Sequence, residues 1–299
     1  MVLRKSLAVL ADNIGLAMKI LVYSAVLILC CVLVMNSIVA PLYRVLMGDF
    51  ALLEQIRESL SLWIESEGGS QSLWAILGSF YREYSSQLLL SLVWFGLVYF
   101  AVSFFVNLTT IPIIKILHNK MSQSYNERFY FALVSSLSTS LFYSLIHSLI
   151  ALVIDLIIGA FAVLLIVWLR PLGFFAFTLA FIVALALFAL RNCLFSQWAP
   201  TIISENKGVL KAFKDSFKNS IKSLKLCFVP YLVAGATLFA VITTTGFLTF
   251  GVMPVFFLPV FMVFLSCVSL TSYFTLNNKK FYIYKGKVDD PEEQITDSE

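Results

Sequence analysis

Six apolar runs limit what this chain can fold into more than any other feature. They cover approximately residues 20–40, 88–108, 146–169, 172–195, 227–247 and 251–271. An α-helix rises about 1.5 Å per residue, so each run can cross a hydrocarbon layer about 30 Å thick as one helix. Inside such a layer every backbone amide needs a partner within its own segment, which selects helices over open strands. The composition agrees: of 299 residues 60% are hydrophobic and 13% charged, against about 45–50% and about 25% in soluble domains. A soluble globular fold is excluded, and a net charge of +4 is too small to argue for nucleic acid as a partner.

Six spans put both termini on one side. The N-terminus, the segments 109–145 and 196–226, the C-terminal tail and Arg191 hold seventeen of the twenty-one Lys and Arg, which leaves Arg44, Arg57, Arg82 and Arg170 for the other face. That bias predicts cytoplasmic termini in a bacterial plasma (inner) membrane. Asp12 precedes the first run and Pro41 follows the only candidate cleavage position at Ala40, so the run is expected to stay as a span and not be removed as a signal peptide. The five cysteines lie in or at the ends of apolar runs, where they read as small core hydrophobes.

The sequence divides into a membrane domain at 1–278 and an acidic cytoplasmic tail at 279–299, which has six acids and no base from Asp289 onward. An outer loop at 41–87 is inserted into the first hairpin. Within it Phe50, Leu53, Ile56, Leu60 and Trp63, then Trp74, Leu77 and Tyr81 after Gly68 and Gly69, recur at helical spacing. They predict two short helices on the outer interface, or a docking surface for an external partner.

A shift of eighty residues aligns Ser124 with Ser204, Asn126 with Asn206, Ala132 with Ala212, Ser136 with Ser216 and Ser140 with Ser220, and continues to Ala160 and Ala240. Each copy opens with an amphipathic stretch that runs straight into a span: Leu133, Leu137, Leu141 and Leu145 in one, Leu210, Phe213, Phe217, Ile221 and Leu224 in the other. The N-terminus has the same pattern in Leu3, Leu7, Leu10, Ile14, Ala17 and Leu21. The expected architecture is an all-α integral membrane protein of three hairpin repeats, each preceded by a cytoplasmic interfacial helix.

The stretch from Trp198 to Ser220, with Pro200, Glu205, Gly208, Ala212, Lys214 and Ser216, resembles a segment of bacterial YciC-like membrane proteins and of the membrane domain attached to some glycerophosphoryl diester phosphodiesterases. The resemblance implies a six-span helical membrane domain. The soluble catalytic barrel of those phosphodiesterases is absent from this chain, so no hydrolytic activity is implied.

Two groups of residues could carry function. Lys211, Lys214, Lys218, Lys222 and Lys225 step along one helix face beside an apolar stripe. Such a rail suits anionic lipid headgroups, an acidic membrane partner or another anion, at about 1 kcal/mol per lysine near an anionic surface; ordinary topology determination by positive charge is the plainer reading. Asp155 is the only acid within a span, and at that depth a carboxylate must be protonated, paired or facing water. It reads either as a proton or cation site, with His147 two turns away, or as a structural acid held by Arg191 or by the hydroxyls of Thr243, Thr244, Thr245 or Thr178. Two histidines and no phosphate-loop or nucleophile-elbow pattern predict no enzyme, no metal and no cofactor. The expected function is recognition of anionic lipid or a membrane partner through the cytoplasmic helices, with a small transporter or channel subunit as the alternative.

Overall fold

A computed structural model of the protein describes residues 2–44, 69–123, 127–169, 172–248, 252–284 and 287–289. Ten helices occur among them: α1 Val2–Asp12, α2 Ile14–Arg44, α3 Gly69–Leu108, α4 Thr110–Gln123, α5 Phe129–Ser135, α6 Leu137–Trp168, α7 Phe174–Phe195, α8 Trp198–Glu205, α9 Val209–Leu248 and α10 Val252–Leu276. A small antiparallel hairpin follows, β1 Phe281–Tyr284 with β2 Lys287–Asp289. Among the described residues five helices are long and apolar enough to cross a membrane, or six when α1 and the start of α2, bent by 74°, count as one.

The spans pack in a closed ring. Neighbouring contacts run from α2 to α3, α6, α7, α9 and α10, and back to α2. The short helices α4 and α8 pack against each other and against α10 at the end that carries α1 and the β-hairpin. There the first half of α4 is buried on most sides: Ile111, Ile113, Ile114 and Leu117 are each 1% exposed or less. Trp198 is fully buried beside them, and its indole Nε1 donates to the Val209 carbonyl at 2.9 Å. The bundle is therefore plugged at this end by two short helices in segments, 109–145 and 196–226, that hydropathy assigns to loops between spans.

The outward and inward faces of the spans are the reverse of a soluble helix. In α6 the buried stripe is Ser140, Tyr143, Ser144, Ser148 and Ala151, while Leu137, Leu141 and Leu145 are each more than 40% exposed. In α9 Ala212, Ser216, Ser220 and Ser223 are buried, while Leu210, Phe217 and Ile221 face outward. In α1 and α2 Val2, Ser6, Val9 and Ala17 are buried, while Leu7 and Ile14 are exposed. Lipid is as apolar as leucine, so burying leucine gains little; small residues gain contact by letting backbones approach. Leu137, Leu141 and Leu145 of α6 and Leu210, Phe217 and Ile221 of α9 thus lie on the outer surface of the bundle, whereas Leu133, Phe213 and Leu224 of the same predicted stretches pack against its core.

Three expectations need correction. The lysine-bearing stretch is continuous with the span that follows it in α9, and is not a separate interfacial helix. Forty residues in one helix extend about 60 Å, and the 23 steps from Lys225 to Leu248 already cover about 35 Å, so 209–224 project beyond a bilayer along the span axis. The second predicted outer-loop helix is the first part of α3, which kinks at Tyr84 (φ −115°, ψ 20°); Phe50 to Trp63 lie outside the described residues. The tail does not begin as a solvated segment, because Phe281 is 2% exposed and packs on Phe274 at 5.3 Å between ring centres, under the ammonium of Lys5.

Candidate functional site

Asp155 of α6 forms an ion pair with Arg191 Nη1 of α7 and accepts a hydrogen bond from the Tyr99 hydroxyl of α3. Three neighbouring spans are braced by one carboxylate. The pair is shielded, with the Asp155 side chain 9% and the Arg191 side chain 16% exposed. Arg191 Nη2 also donates to Asn192 Oδ1 at 2.9 Å, whereas Arg191 Nε and Asp155 Oδ1 are buried without a protein partner. Counted along the helices, Asp155 stands thirteen residues from the end of α6 and Arg191 four from the end of α7, about 20 Å and about 6 Å respectively.

Of the partners weighed for Asp155, the structure brings together Arg191 and not the threonines. Thr243 and Thr244 are exposed, and their hydroxyls donate to carbonyls of their own helix, Thr243 to Phe239 at 2.7 Å and Thr244 to Ala240 at 2.5 Å. Thr178 is exposed as well, and the Thr245 side chain lies outside the described residues. A serine or threonine in a span can satisfy its hydroxyl on the preceding turn, which removes it as a partner. His147 does not extend a polar path from Asp155 either. Its ring sits among Tyr143, Phe195 and Trp198, with centre distances of 5.4, 5.2 and 6.0 Å.

Beside the brace the ring is hollow. A cavity of about 470 Å³ is lined from α3, α4, α6, α7, α8, α9 and α10. Its polar wall includes Tyr99, Asn107, His147, Arg191 and Asn192, and its apolar wall Leu185, Phe188, Leu238, Phe261 and Leu265. Asn107 Nδ2 donates to the Ser103 carbonyl at 2.8 Å and to Ser148 Oγ at 3.3 Å, so the polar residues also tie α3 to α6. The cavity is closed toward the termini by Ile113 and Ile114 of α4 and Ala199 of α8. Gly235 of α9 opens onto it, and a Cβ there would stand 3.7 Å from Leu185 Cδ1.

No protein-family description, curated protein or solved structure matches the chain. The segment that carries the YciC-like resemblance forms the corner between α8 and α9. Pro200 is buried in α8, Asn206 takes a left-handed conformation (φ 49°), and Ala212 and Ser216 are buried on α9. Glu205 Oε1 accepts from the Tyr273 hydroxyl at 3.0 Å, and Lys207 bridges Glu205 at 2.5 Å and Asp215 at 2.7 Å. Hydrogen bonds to Asp215 and Glu205 hold the Lys207 ammonium above the ordinary lysine range.

All five rail lysines, Lys211, Lys214, Lys218, Lys222 and Lys225, are exposed. Their face of α9 also shows Phe217 and Ile221, opposite the buried serine stripe. Among the described residues no three His, Cys, Asp or Glu side chains stand together as metal ligands do. Tyr99, Asn107 and Asn192 were missed in the sequence. Asn107 and Asn192 stand near span ends, where a polar residue is common, and Tyr99 is one of many aromatic residues in its run, so nothing in the spacing sets these three apart.

Proposed function

We propose that the protein takes up a small amphiphile in its central cavity and carries it through the membrane, without catalytic chemistry of its own. The observation that carries this reading is the hollow ring. Its volume of about 470 Å³ falls in the range of about 300–1,000 Å³ usual for small-molecule sites, which are mostly apolar with a few convergent polar groups. Asp155 balances the Arg191 charge at the polar wall, so a neutral or zwitterionic head is favoured over a free anion, and the aliphatic tail takes the Leu185 to Leu265 wall. In this reading Asp155, paired with Arg191, serves as a brace between spans.

The same reading places the protein in a bacterial plasma membrane with both termini cytoplasmic, supported by the basic residues at the end that carries α1 and the β-hairpin. A three-hairpin repeat and kinship with YciC-like proteins are part of it. In support, α5 and α6 together run from Phe129 to Trp168 and α9 from Val209 to Leu248, an offset of eighty residues at each end. A second role for the lysine rail, holding anionic lipid or an acidic partner at the cytoplasmic side, is favoured by the outward position of all five lysines beside Phe217 and Ile221.

Native mass spectrometry of the full chain, released from mild detergent, tests the cavity. The wild type should carry a bound amphiphile that Gly235→Phe, which fills the cavity, does not. Identical spectra of the two proteins would remove this reading.

A further inference from the structure

On the far face of the α4 and α8 plug lies a second cavity, of about 580 Å³. It is polar where the first is greasy. Lys115 and His118 line it from α4, Ser138 and Thr139 from α6, and Lys207 and Gly208 from the turn ahead of α9. No carboxylate is among its lining side chains in the described residues. The acids stand behind the lysines: Lys115 Nζ lies 3.0 Å from Glu127 and 2.9 Å from Ser135 Oγ, and Lys207 Nζ meets Glu205 and Asp215. Lys211 and Lys214 follow in the first turns of α9, so four ammonium groups (Lys115, Lys207, Lys211, Lys214) face three carboxylates (Glu127, Glu205, Asp215).

We propose that this chamber binds a phosphate ester. Two lysines from different elements reach one polar space, each already oriented by a carboxylate and with ammonium hydrogens to spare. The first amides of α9 lack acceptors within the helix and add partial positive charge at the same wall. Gly208 leaves the approach open, with nothing within 4 Å of where a Cβ would stand. Ser138 and Thr139 supply hydroxyls, and His118 Nδ1 is buried without a protein partner. Rail and chamber differ in place: the rail lysines are exposed along α9, and Lys211 and Lys214 add only nearby charge, whereas Lys115 and Lys207 line the open, concave site itself. The site is also independent of the central cavity, from which α4 and α8 separate it.

The ester can be a phospholipid headgroup or a soluble phosphate, and two probes distinguish them. Full-length protein in an uncharged detergent is dialysed to equilibrium against radiolabelled inorganic phosphate at low salt. In parallel, thermal unfolding is followed in the same uncharged detergent with and without added phosphatidylglycerol. Saturable phosphate binding identifies the soluble source, and stabilisation by phosphatidylglycerol alone identifies the lipid. Either response should weaken about tenfold or more in Lys207→Gln and in Ser138→Trp. Ser138→Trp fills the chamber from an exposed position without breaking an ion pair, so it guards against a folding defect in the lysine variant. Binding of neither probe, or binding unchanged in Ser138→Trp, overturns the proposal.

Discussion

Asp155 shows what one residue contributes when its partners lie on other spans. Removing it leaves the Arg191 guanidinium shielded and without its carboxylate. Breaking one side of such a pair costs about 3–5 kcal/mol, so Asp155→Ala should lower stability by that amount in detergent unfolding. Asp155→Asn leaves the same guanidinium without a counter-charge but keeps an acceptor for Tyr99, so it should be less costly than Asp155→Ala by about 1 kcal/mol. Equal stability of Asp155→Ala and wild type would show that the brace carries no load. Lys207 gives a prediction in pH. Because Asp215 and Glu205 raise its proton affinity, it remains cationic in the folded protein as pH rises through the ordinary lysine range. Binding of methyl phosphate should therefore strengthen as the ligand takes its second charge at about pH 6 and then stay level to about pH 10. A decline from about pH 8 in a titration would mean that another group supplies the cation.

At the scale of elements, the six runs, their lengths and the candidate partnership of Asp155 with Arg191 could be read from sequence because they rest on hydropathy and on the rarity of charge in lipid. The faces of the helices could not. Spacing of Leu137, Leu141 and Leu145 identifies a stripe, but lipid and protein interior are both apolar, and only the small residues of the opposite stripe reveal which side packs. The helices α4 and α8 escaped for a related reason: segments beside lysines and short of a span length read as loops, although Ile111 to Leu117 and Trp198 are core. Packing follows from this inversion. Ser140→Leu and Ser220→Leu, at positions 0% exposed, should each destabilise by about 1–3 kcal/mol through overpacking. Leu141→Ala and Ile221→Ala, on the exposed outer face, should change thermal stability by less than about 1 kcal/mol.

For the whole molecule, six long apolar helices form a ring with a plugged, basic end and a hollow centre. Both α1 and the β-hairpin belong to the plugged end, where α1 contacts β1. Cysteine introduced at Ser70 should react with an impermeant maleimide applied to intact cells, and cysteine at Lys287 should react only after the membrane is opened. The reverse pattern would invert the topology. The central claim, that the hollow ring carries an amphiphile, is tested most directly by movement across a bilayer. Liposomes containing the purified protein and a fluorescent single-chain zwitterionic lipid are exposed to an external quencher, and the loss of signal reports transfer from the inner leaflet. Wild type should accelerate that loss over protein-free liposomes, and Gly235→Phe should return it to the protein-free rate. A wild-type rate equal to that of protein-free liposomes, or a Gly235→Phe rate equal to wild type, would contradict the account.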